Sequence, residues 1–491
     1  MGVDVQVEVP GGVVRGVQEA GLAVFRGVPF ASLPERFGPP RPVRGWSGVR
    51  DASAFGPAPP QSGPAAPTSA ISGDGAAGAT GAASPDPGWL TANVWSPDLA
   101  GRLPVMVWVQ GGAYLFGTSG LPEYDGPVLV RDGVVVVTFN YRVGLEGFGL
   151  VEGTPANRGL LDQVAALEWV RDAIGAFGGD PTRVTVFGQS AGGGSVAALL
   201  AMPRAQGLFR RAIAQSVPGT FFTPALATDV ARVCAAELGV APADLPGVDA
   251  DLLPLALDAV LERVDQYADR WGRAARARVP VAPVVDGDVL PTTPWEGLTG
   301  RIPLLVGHTR DEQRLLSLLT GVLGQVTPAM AAEAAEVFAP DPEAYRERFA
   351  DPDALYEVVR SDWLFRMPSV LLARAQLAAD GDAHVYELTW PAPGMGGALG
   401  ACHGLDVPLV FGNLTLGQPA MLIGEPGAEA ESLSAQMRRA WVDFATTGDP
   451  GWPTFDAGAT RVFDVEPRVA DYPERASLEL WTDYPGVLDL A

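Results

Sequence analysis

A serine flanked by small residues is the feature of this sequence with the clearest chemical potential. The segment Gly-Gln-Ser-Ala-Gly at residues 188–192 directly follows VTVF at 184–187, an apolar run typical of a buried strand. A serine that projects from a tight strand-to-helix turn needs small residues two positions to either side so that the turn can close. The pattern predicts that Ser190 is a nucleophile on such a turn, and an ordinary glycine-rich turn is the alternative interpretation.

A serine hydroxyl is a weak nucleophile until a base takes its proton, and the three histidines of the chain are the candidates for that base. His384 lies within a strand-like run, which favours a structural role, and His308 directly precedes a polar turn. His403 lies in a loop of small residues, where its ring could approach both a serine and a substrate. Because α/β-hydrolases place nucleophile, acid and base in that order along the chain, His403 is the predicted base and the acid is expected before it.

Two carboxylates compete for the role of the acid. Asp311 and Glu312 follow the strand-like run PLLV at 303–306, and the carboxyl ends of parallel strands form the edge where α/β active sites lie. The residues alone do not separate the two, and a pair of solvated turn carboxylates is the other interpretation.

A second glycine-rich segment could supply hydrogen-bond donors to a reaction intermediate. Gln-Gly-Gly-Ala-Tyr at 110–114 follows the strand-like run PVMVWV at 104–109. Consecutive small residues leave backbone N–H groups free to point into a cavity, and together with the N–H of Ala191 they could hold a developing oxyanion. Taken alone, the segment also fits a flexible turn.

The elements that must position these groups alternate between strands and helices. Further strand-like runs lie at 134–139, 303–307 and 384–388, and apolar residues three or four positions apart between 164 and 177 predict a helix. This alternation predicts an α/β fold with a doubly wound, mostly parallel central sheet flanked by helices. An amphipathic helix is predicted at 432–447.

The chain shows no linker or internal repeat, so residues 1–491 are expected to form a single domain. Residues 57–88 are almost entirely Pro, Ala, Gly, Ser and Thr, and they contain too few large apolar residues to pack. They are interpreted as a flexible surface loop, which is either a lid over the site or an inert insertion.

The charge and the cysteine content of the chain indicate which binding partners and which compartment to expect. The net charge is −23 and every basic residue is arginine, so repulsion from nucleic acid and from anionic membranes is expected. No apolar run reaches the ~18 residues that a membrane span needs, and residues 1–16 are typical of a strand and turn rather than of a signal peptide. Cys234 and Cys402 are too few for a secreted disulfide framework, which favours free thiols and a cytoplasmic location.

Taken together and in order, the motifs resemble a known family, the type B carboxylesterases. The resemblance runs from about residue 25 to about residue 481 and is most specific over NRGLLDQVAALEWVRDAIGAFGGDPTRVTVFGQSAGG at 157–193. The other similar segments are FRGVPFA at 25–31, PERFGPPRPVRGWSGVRDASAFGP at 34–57, LTANVWSP at 90–97, NYRVGLEGF at 140–148, ACHGLDVPLVFG at 401–412 and WVDFATTGDP at 441–450.

Carried over residue by residue, the resemblance implies an α/β-hydrolase fold with helical insertions over an active-site gorge. It also selects Glu312 over Asp311, since the family uses the second carboxylate of this pair. The implied site comprises Ser190 as nucleophile, Glu312 as acid, His403 as base, the N–H groups of Gly112, Ala113 and Ala191 as oxyanion donors, Gln189 beside the nucleophile, Ser216 as a support for the histidine, and an Arg142–Asp162 ion pair.

The chain departs from the family pattern at four positions. Gln110 stands where many relatives have His, at the start of the glycine-rich loop. Gln189 replaces the commoner Glu and removes a negative charge expected near the histidine. Trp89 stands where many relatives have a disulfide cysteine, and Asp406 stands where Glu is usual. None of these departures removes a catalytic group.

The resemblance implies a serine carboxylesterase that hydrolyses small uncharged carboxylic esters through an acyl-enzyme on Ser190. It implies no metal and no organic cofactor, a small-molecule ester as partner, and a monomer or small homo-oligomer. An amide, carbamate or lactone hydrolase with the same three residues is the alternative, and a non-catalytic binding protein is a further one. The aromatic residues that could line a substrate pocket, or pack in the core, are Tyr114, Phe116, Phe221, Phe222, Trp363 and Trp390.

Overall fold

A large sheet runs through the computed structural model, which describes residues 4–61, 86–481 and 487–491. The strands within these ranges are β1 (Asp4–Val9), β2 (Gly12–Glu19), β3 (Leu22–Pro29), β4 (Ala31–Ser32), β5 (Arg41–Pro42), β6 (Val49–Asp51), β7 (Thr91–Ser96), β8 (Leu103–Val109), β9 (Val135–Phe139), β10 (Gly179–Gln189), β11 (Arg211–Gln215), β12 (Leu304–Thr309), β13 (Ala383–Leu388), β14 (Ala459–Phe463) and β15 (Arg468–Asp471).

The α-helices within the same ranges connect these strands. They are α1 (Pro127–Val130), α2 (Gly144–Phe148), α3 (Arg158–Ala173), α4 (Ala191–Ala201), α5 (Pro224–Glu237), α6 (Leu252–Glu262), α7 (Ala268–Trp271), α8 (Arg273–Arg276), α9 (Pro294–Gly297), α10 (Glu312–Leu319), α11 (Pro328–Phe338), α12 (Pro342–Arg348), α13 (Pro352–Ser361), α14 (Met367–Ala378), α15 (Asp406–Phe411), α16 (Pro419–Ile423), α17 (Ala428–Thr447) and α18 (Arg475–Leu478). A π-helical turn, Asp362–Arg366, joins α13 to α14.

Thirteen of the described strands form one sheet in the spatial order β1-β2-β3-β7-β9-β8-β10-β11-β12-β13-β14-β15, with β6 paired to β2. The seven neighbouring strands from β9 to β14 in this order are parallel, and antiparallel pairs form both ends. Val105 and Val107 of β8 join one buried apolar cluster, whereas Met106 and Trp108 join the other. Because successive strand residues point to opposite faces, apolar cores lie on both faces. The predicted α/β fold with a mostly parallel sheet is confirmed.

The register of the central strands brings their carboxyl ends to one edge. Gly188 of β10 lies opposite Val109 of β8, and Gln189 of β10 lies opposite Gln215 of β11. Gln215 in turn lies opposite Gly307 of β12. The residues that follow these strands therefore leave the sheet side by side, and they include Ser190, the glycine-rich segment at 110–114 and Glu312.

The predicted elements are found with shifted boundaries. The strand predicted at 184–187 begins earlier, at Gly179, and the amphipathic helix predicted at 432–447 begins at Ala428. The helix predicted between 164 and 177 is α3 followed by a 3₁₀ turn. Of the loop predicted at 57–88, residues 62–85 lie outside the described residues.

A buried ion pair fixes the segment after β9. Arg142 Nε and one terminal nitrogen donate to the two oxygens of Asp162 at 2.8 and 2.7 Å, and both side chains are fully buried. Removing one partner of such a pair leaves an uncompensated charge and costs about 3–5 kcal/mol. Gly144, two residues later, donates its N–H to Tyr114 O at 2.7 Å. The ion pair thus supports the glycine-rich segment at 110–114.

None of the helices in the described ranges is both long enough and apolar enough to cross a membrane.

Candidate active site

Ser190 lies on the turn between β10 and α4 in a strained backbone conformation, with φ 59° and ψ −126°. Its small neighbours are required by close packing, because a Cβ on Gly192 would lie 2.0 Å from Val109 O and one on Gly193 would lie 2.4 Å from Gln215 O. The Ser190 N–H donates to Gln215 O at 2.9 Å, which ties the turn to β11. The side chain is half-buried. The predicted strand-to-helix turn is therefore present.

Glu312 and His403 are joined by a short hydrogen bond. Glu312 begins α10, and its Oε2 accepts from His403 Nδ1 at 2.5 Å. Glu312 Oε1 accepts from Ser216 Oγ at 2.6 Å and from the Thr309 N–H at 2.9 Å. Burial opposes ionisation of this carboxyl, but the charge of His403 and the hydrogen bonds from His403 and Ser216 hold the pKa of Glu312 below its usual range.

Asp311, the competing carboxylate, has a different contact. Its Oδ2 accepts from the Ala401 N–H at 2.8 Å, and its own N–H donates to Ala401 O at 2.9 Å. Gly400 has φ +57°, and a Cβ there would lie 2.3 Å from Asp311 Oδ2. The two neighbouring acids thus have different partners. Asp311 hydrogen bonds to the loop that carries His403, and Glu312 hydrogen bonds to the imidazole ring itself.

The other two histidines are buried and hydrogen bond to groups outside the Ser190 turn. His308 is fully buried, with Nδ1 3.0 Å from Thr309 O and Nε2 2.9 Å from Tyr472 Oη. Burial and the nearby Arg366 lower the pKa of His308 to about 4. His384 lies in β13 and donates from Nδ1 to the carbonyl oxygen of Trp452 at 2.9 Å.

Gln189 hydrogen bonds to Nε2, the second nitrogen of the His403 ring. Because a carboxylate only accepts hydrogen bonds, the proton of the His403–Glu312 bond belongs on Nδ1, and Nε2 is left as an acceptor. The Gln189 side-chain nitrogen lies 3.1 Å from Nε2 and donates to it. Within the described residues the Ser190 hydroxyl makes no hydrogen bond. The Gln189 side chain therefore lies beside the His403 ring.

The glycine-rich segment after β8 adopts left-handed backbone conformations in succession. The φ angles are +117° at Gly112, +55° at Ala113 and +61° at Tyr114. A Cβ on Gly112 would lie 2.1 Å from Phe116 O, so only glycine fits there. Across the described residues, the N–H groups of Gly112, Ala113 and Ala191 donate to no other group. Three unpaired donors are thus available next to Ser190.

Ser216 and two of the departures from the family pattern also have defined contacts. Ser216 contacts Glu312 rather than His403, so any support for the histidine is indirect. Asp406 is fully buried and accepts from Gln215 and Tyr386 at 2.8 Å each. The side-chain amide of Gln110 is buried without a hydrogen-bond partner among the described residues, while its backbone oxygen accepts from Tyr141 Oη at 2.7 Å.

A cavity of about 180 Å³ lies beside Leu115 and Phe116 rather than at Ser190, Glu312 and His403. Leu115, Phe116 and Gly144 line it together with residues of α6, and Ser190, Glu312 and His403 do not. Among the aromatic candidates only Phe116 lines this cavity, and the remaining five are core residues with at most 3% exposure, namely Tyr114, Phe221, Phe222, Trp363 and Trp390.

Sequence reasoning missed one neighbour of His403. Phe365 stacks on the imidazole, with ring centroids 4.1 Å apart and an angle of 27° between the planes. It lies on the π-helical turn between α13 and α14. Helical periodicity does not indicate such a turn, so no signal in the sequence placed this residue at the site.

Comparisons with known proteins identify one family. The family model described as "Carboxylesterase family" matches residues 3–481. A para-nitrobenzyl esterase of Bacillus subtilis (strain 168) is 36% identical over 492 residues, which cover 94% of this chain and 95% of that protein. A phenmedipham hydrolase of Pseudarthrobacter oxydans is 34% identical, covering 92% of this chain and 93% of that protein.

Solved structures give the same result. A PNB esterase structure superposes with a TM-score of 0.83 at 34% identity, covering 97% of this chain and 99% of the other. A carboxylesterase of Geobacillus stearothermophilus superposes with a TM-score of 0.81 at 33% identity, covering 97% of this chain and all of the other. The alternative activities are not favoured by these matches. The chain belongs to the carboxylesterase family, and its activity is serine-type hydrolysis of carboxylic esters.

Proposed function

We propose that Ser190, Glu312 and His403 are the nucleophile, acid and base of this hydrolysis. The observation that carries the proposal is the 2.5 Å hydrogen bond between His403 and Glu312, with the other nitrogen of the same ring against the residue next to Ser190. Glu312 keeps the proton on Nδ1, so Nε2 has the lone pair that a base needs. The same carboxylate stabilises the imidazolium that forms when Nε2 takes a proton.

In the first half of the reaction, Ser190 Oγ forms a bond to the carbonyl carbon of the ester while its proton moves to His403 Nε2. The carbonyl electrons move onto oxygen, and the N–H groups of Gly112, Ala113 and Ala191 donate to that oxyanion. One such donor contributes ~3–4 kcal/mol to transition-state stabilisation. The intermediate collapses, and the departing alkoxide takes the proton from Nε2.

In the second half, water attacks the acyl group on Ser190 and gives its proton to His403 Nε2. A second tetrahedral intermediate expels Ser190, which regains its proton, and the carboxylic acid leaves. The Gln189 amide imposes a condition on both halves, since one lone pair on Nε2 accepts one hydrogen bond well. The Ser190 hydroxyl or the attacking water must replace Gln189 at that nitrogen.

Small uncharged carboxylic esters are the proposed substrates. The net charge of −23 opposes the approach of anionic esters. The half-buried Ser190 and the apolar ring of Phe365 against His403 suit uncharged groups. No metal or organic cofactor takes part in the proposed steps, because the nucleophile, the base and the oxyanion donors all come from the chain.

We also propose that the chain is one domain, since a single sheet includes strands from β1 to β15. A monomer or small homo-oligomer in the cytoplasm is proposed as its working state. The free thiols of Cys234 and Cys402 support a reducing compartment. Burial raises the pKa of each thiol to about 12, which keeps both unreactive.

Replacing Ser190 with Ala tests the nucleophile. Because the acyl-enzyme forms on Ser190 Oγ, Ser190→Ala is expected to abolish turnover of a p-nitrophenyl ester and labelling by an organophosphonate. Loss of a serine nucleophile costs roughly a millionfold in kcat in a comparable hydrolase. Retention of more than about a thousandth of the wild-type kcat, or labelling at another residue, would contradict the assignment.

Replacing the histidines one at a time tests the base. His403→Ala is expected to be as damaging as Ser190→Ala, and the double variant to lose little more, because members of a triad act as a unit. His384→Ala is the matched control, since it removes a buried ring that lies in β13 and donates to Trp452 O. kcat/KM is measured for all variants alongside urea unfolding. An inactive His384→Ala with an active His403→Ala would reverse the assignment.

Changing Gln189 to Glu tests the contact at Nε2. A carboxylate cannot donate to neutral Nε2 but does accept from imidazolium, so the protonated ring is stabilised. Since only neutral imidazole acts as the base, the acidic limb of the kcat/KM profile is expected at higher pH, with a modest change in the plateau. Gln189→Met is the uncharged control, which removes the hydrogen bond without adding charge. A shift of the Gln189→Glu limb to lower pH would mean that this side chain does not face His403 in solution.

A further inference from the structure

The imidazole ring of His403 is held at its edges by hydrogen bonds and on one face by a phenyl ring. Glu312 contacts Nδ1 and Gln189 contacts Nε2, so both hydrogen bonds lie at the rim of the ring. Phe365 covers a face, with 4.1 Å between the ring centroids and 27° between the planes. Both aromatic side chains are buried, at 4% exposure for Phe365 and 8% for His403.

The backbone that carries Phe365 is unusual. α13 and α14 form one continuous helix except at Asp362–Arg366, where the Met367 N–H donates to Asp362 O in the π-helical pattern. One extra residue in a turn rotates the following side chains by about 100° relative to a regular α-helix. Without the insertion, the residues after it would face other neighbours.

Buried contacts hold this turn in place. Arg366 and Asp362 form an ion pair at 2.6 Å, with 2% and 0% of the side chains exposed. Tyr345 Oη donates to the second oxygen of Asp362 at 2.8 Å. Leu364 O accepts from the Gly219 N–H at 2.8 Å. Gly219 lies three residues after Ser216, which hydrogen bonds to Glu312, so the turn and the acid are supported by the same short segment.

We propose that Phe365 is a positioning residue for His403, presented by the π-helical turn so that its ring prevents the imidazole from tilting out of the plane of its two hydrogen bonds. This inference rests on the proposed role of His403 as the base. A flat ring is required, because an aliphatic side chain fills the volume without offering a parallel face. The same face also attracts the imidazolium that forms during each proton transfer.

The experiment compares three variants of the full chain. Phe365→Leu removes the flat face, and Phe365→Tyr keeps it. Trp363→Leu is the matched control, since Trp363 lies on the same turn but packs on Phe338, with centroids 4.6 Å apart. Urea unfolding determines the folded fraction of each variant, and all rates are expressed per folded enzyme.

Three readouts separate positioning from other roles. The first is kcat and KM for p-nitrophenyl esters with acyl chains from acetyl to hexanoyl. The second is the rate of inactivation by an organophosphonate, which also needs the base. The third is the strongly downfield proton resonance expected for the short His403 Nδ1–Glu312 hydrogen bond, which His403→Ala must abolish.

Phe365→Leu is expected to lower kcat/KM by about tenfold to a hundredfold, by a similar factor for every acyl chain and for the organophosphonate, and to broaden the downfield resonance. Phe365→Tyr and Trp363→Leu are each expected to keep kcat/KM, the inactivation rate and the downfield resonance near their wild-type values. A loss that depends on acyl length would assign Phe365 to substrate binding instead, and unchanged rates with an unchanged resonance would leave it a packing residue. If His403→Ala itself stays active, the proposed function fails rather than this inference alone.

Discussion

The site is organised around one buried negative charge, the carboxylate of Glu312. A carboxylate with no exposure to water is costly unless each oxygen accepts hydrogen bonds. The donors come from three parts of the chain, namely Thr309 at the end of β12, Ser216 just after β11, and His403 in the loop before α15. The hydrogen bonds to this carboxylate therefore fix the relative positions of two strand ends and the loop that carries the proposed base.

Several residues of the site have strained backbone conformations. Ser190, Ala113 and Tyr114 all have positive φ angles, a conformation that costs non-glycine residues of order 1–3 kcal/mol each. Neighbouring hydrogen bonds hold these conformations, since the Ser190 N–H donates to Gln215 O and the Gly144 N–H donates to Tyr114 O. The parallel register of β8, β10 and β11 places both strained segments at one edge of the sheet. The strain directs the proposed nucleophile and the free N–H groups toward a common space.

Much of the arrangement could be predicted from short-range patterns. Small residues around Ser190 and after β8 indicate tight turns, and apolar runs of five or six residues indicate buried strands, because both depend on neighbours in the sequence. The choice between Asp311 and Glu312 could not be made from the residues themselves. It depends on the backbone at Asp311, which sends one side chain to Ala401 and the next to His403.

The contacts that were not predicted are long-range. Phe365 reaches His403 only because a π-helical turn changes the phase of its helix, and that turn depends on Tyr345 and Gly219, which are distant in the sequence. Gln189 was expected near His403, but its donation to Nε2 depends on a side-chain rotamer that its neighbours do not determine. Periodicity and motif spacing do not report either kind of contact.

The proposed chemistry depends most on Glu312 being the carboxylate that orients the base, and a matched pair of amides tests this directly. Glu312→Gln and Asp311→Asn each remove one negative charge from adjacent positions with little change of shape. The measurement is kcat for one p-nitrophenyl ester, with unfolding in urea as the check on folding. Glu312→Gln is expected to lower kcat by about 10³–10⁴-fold, as when the orienting acid of a triad is neutralised. Asp311→Asn is expected to keep most of the wild-type kcat, since an amide oxygen still accepts from the Ala401 N–H. A near-normal Glu312→Gln together with an inactive Asp311→Asn would contradict the role of Glu312 as the orienting acid.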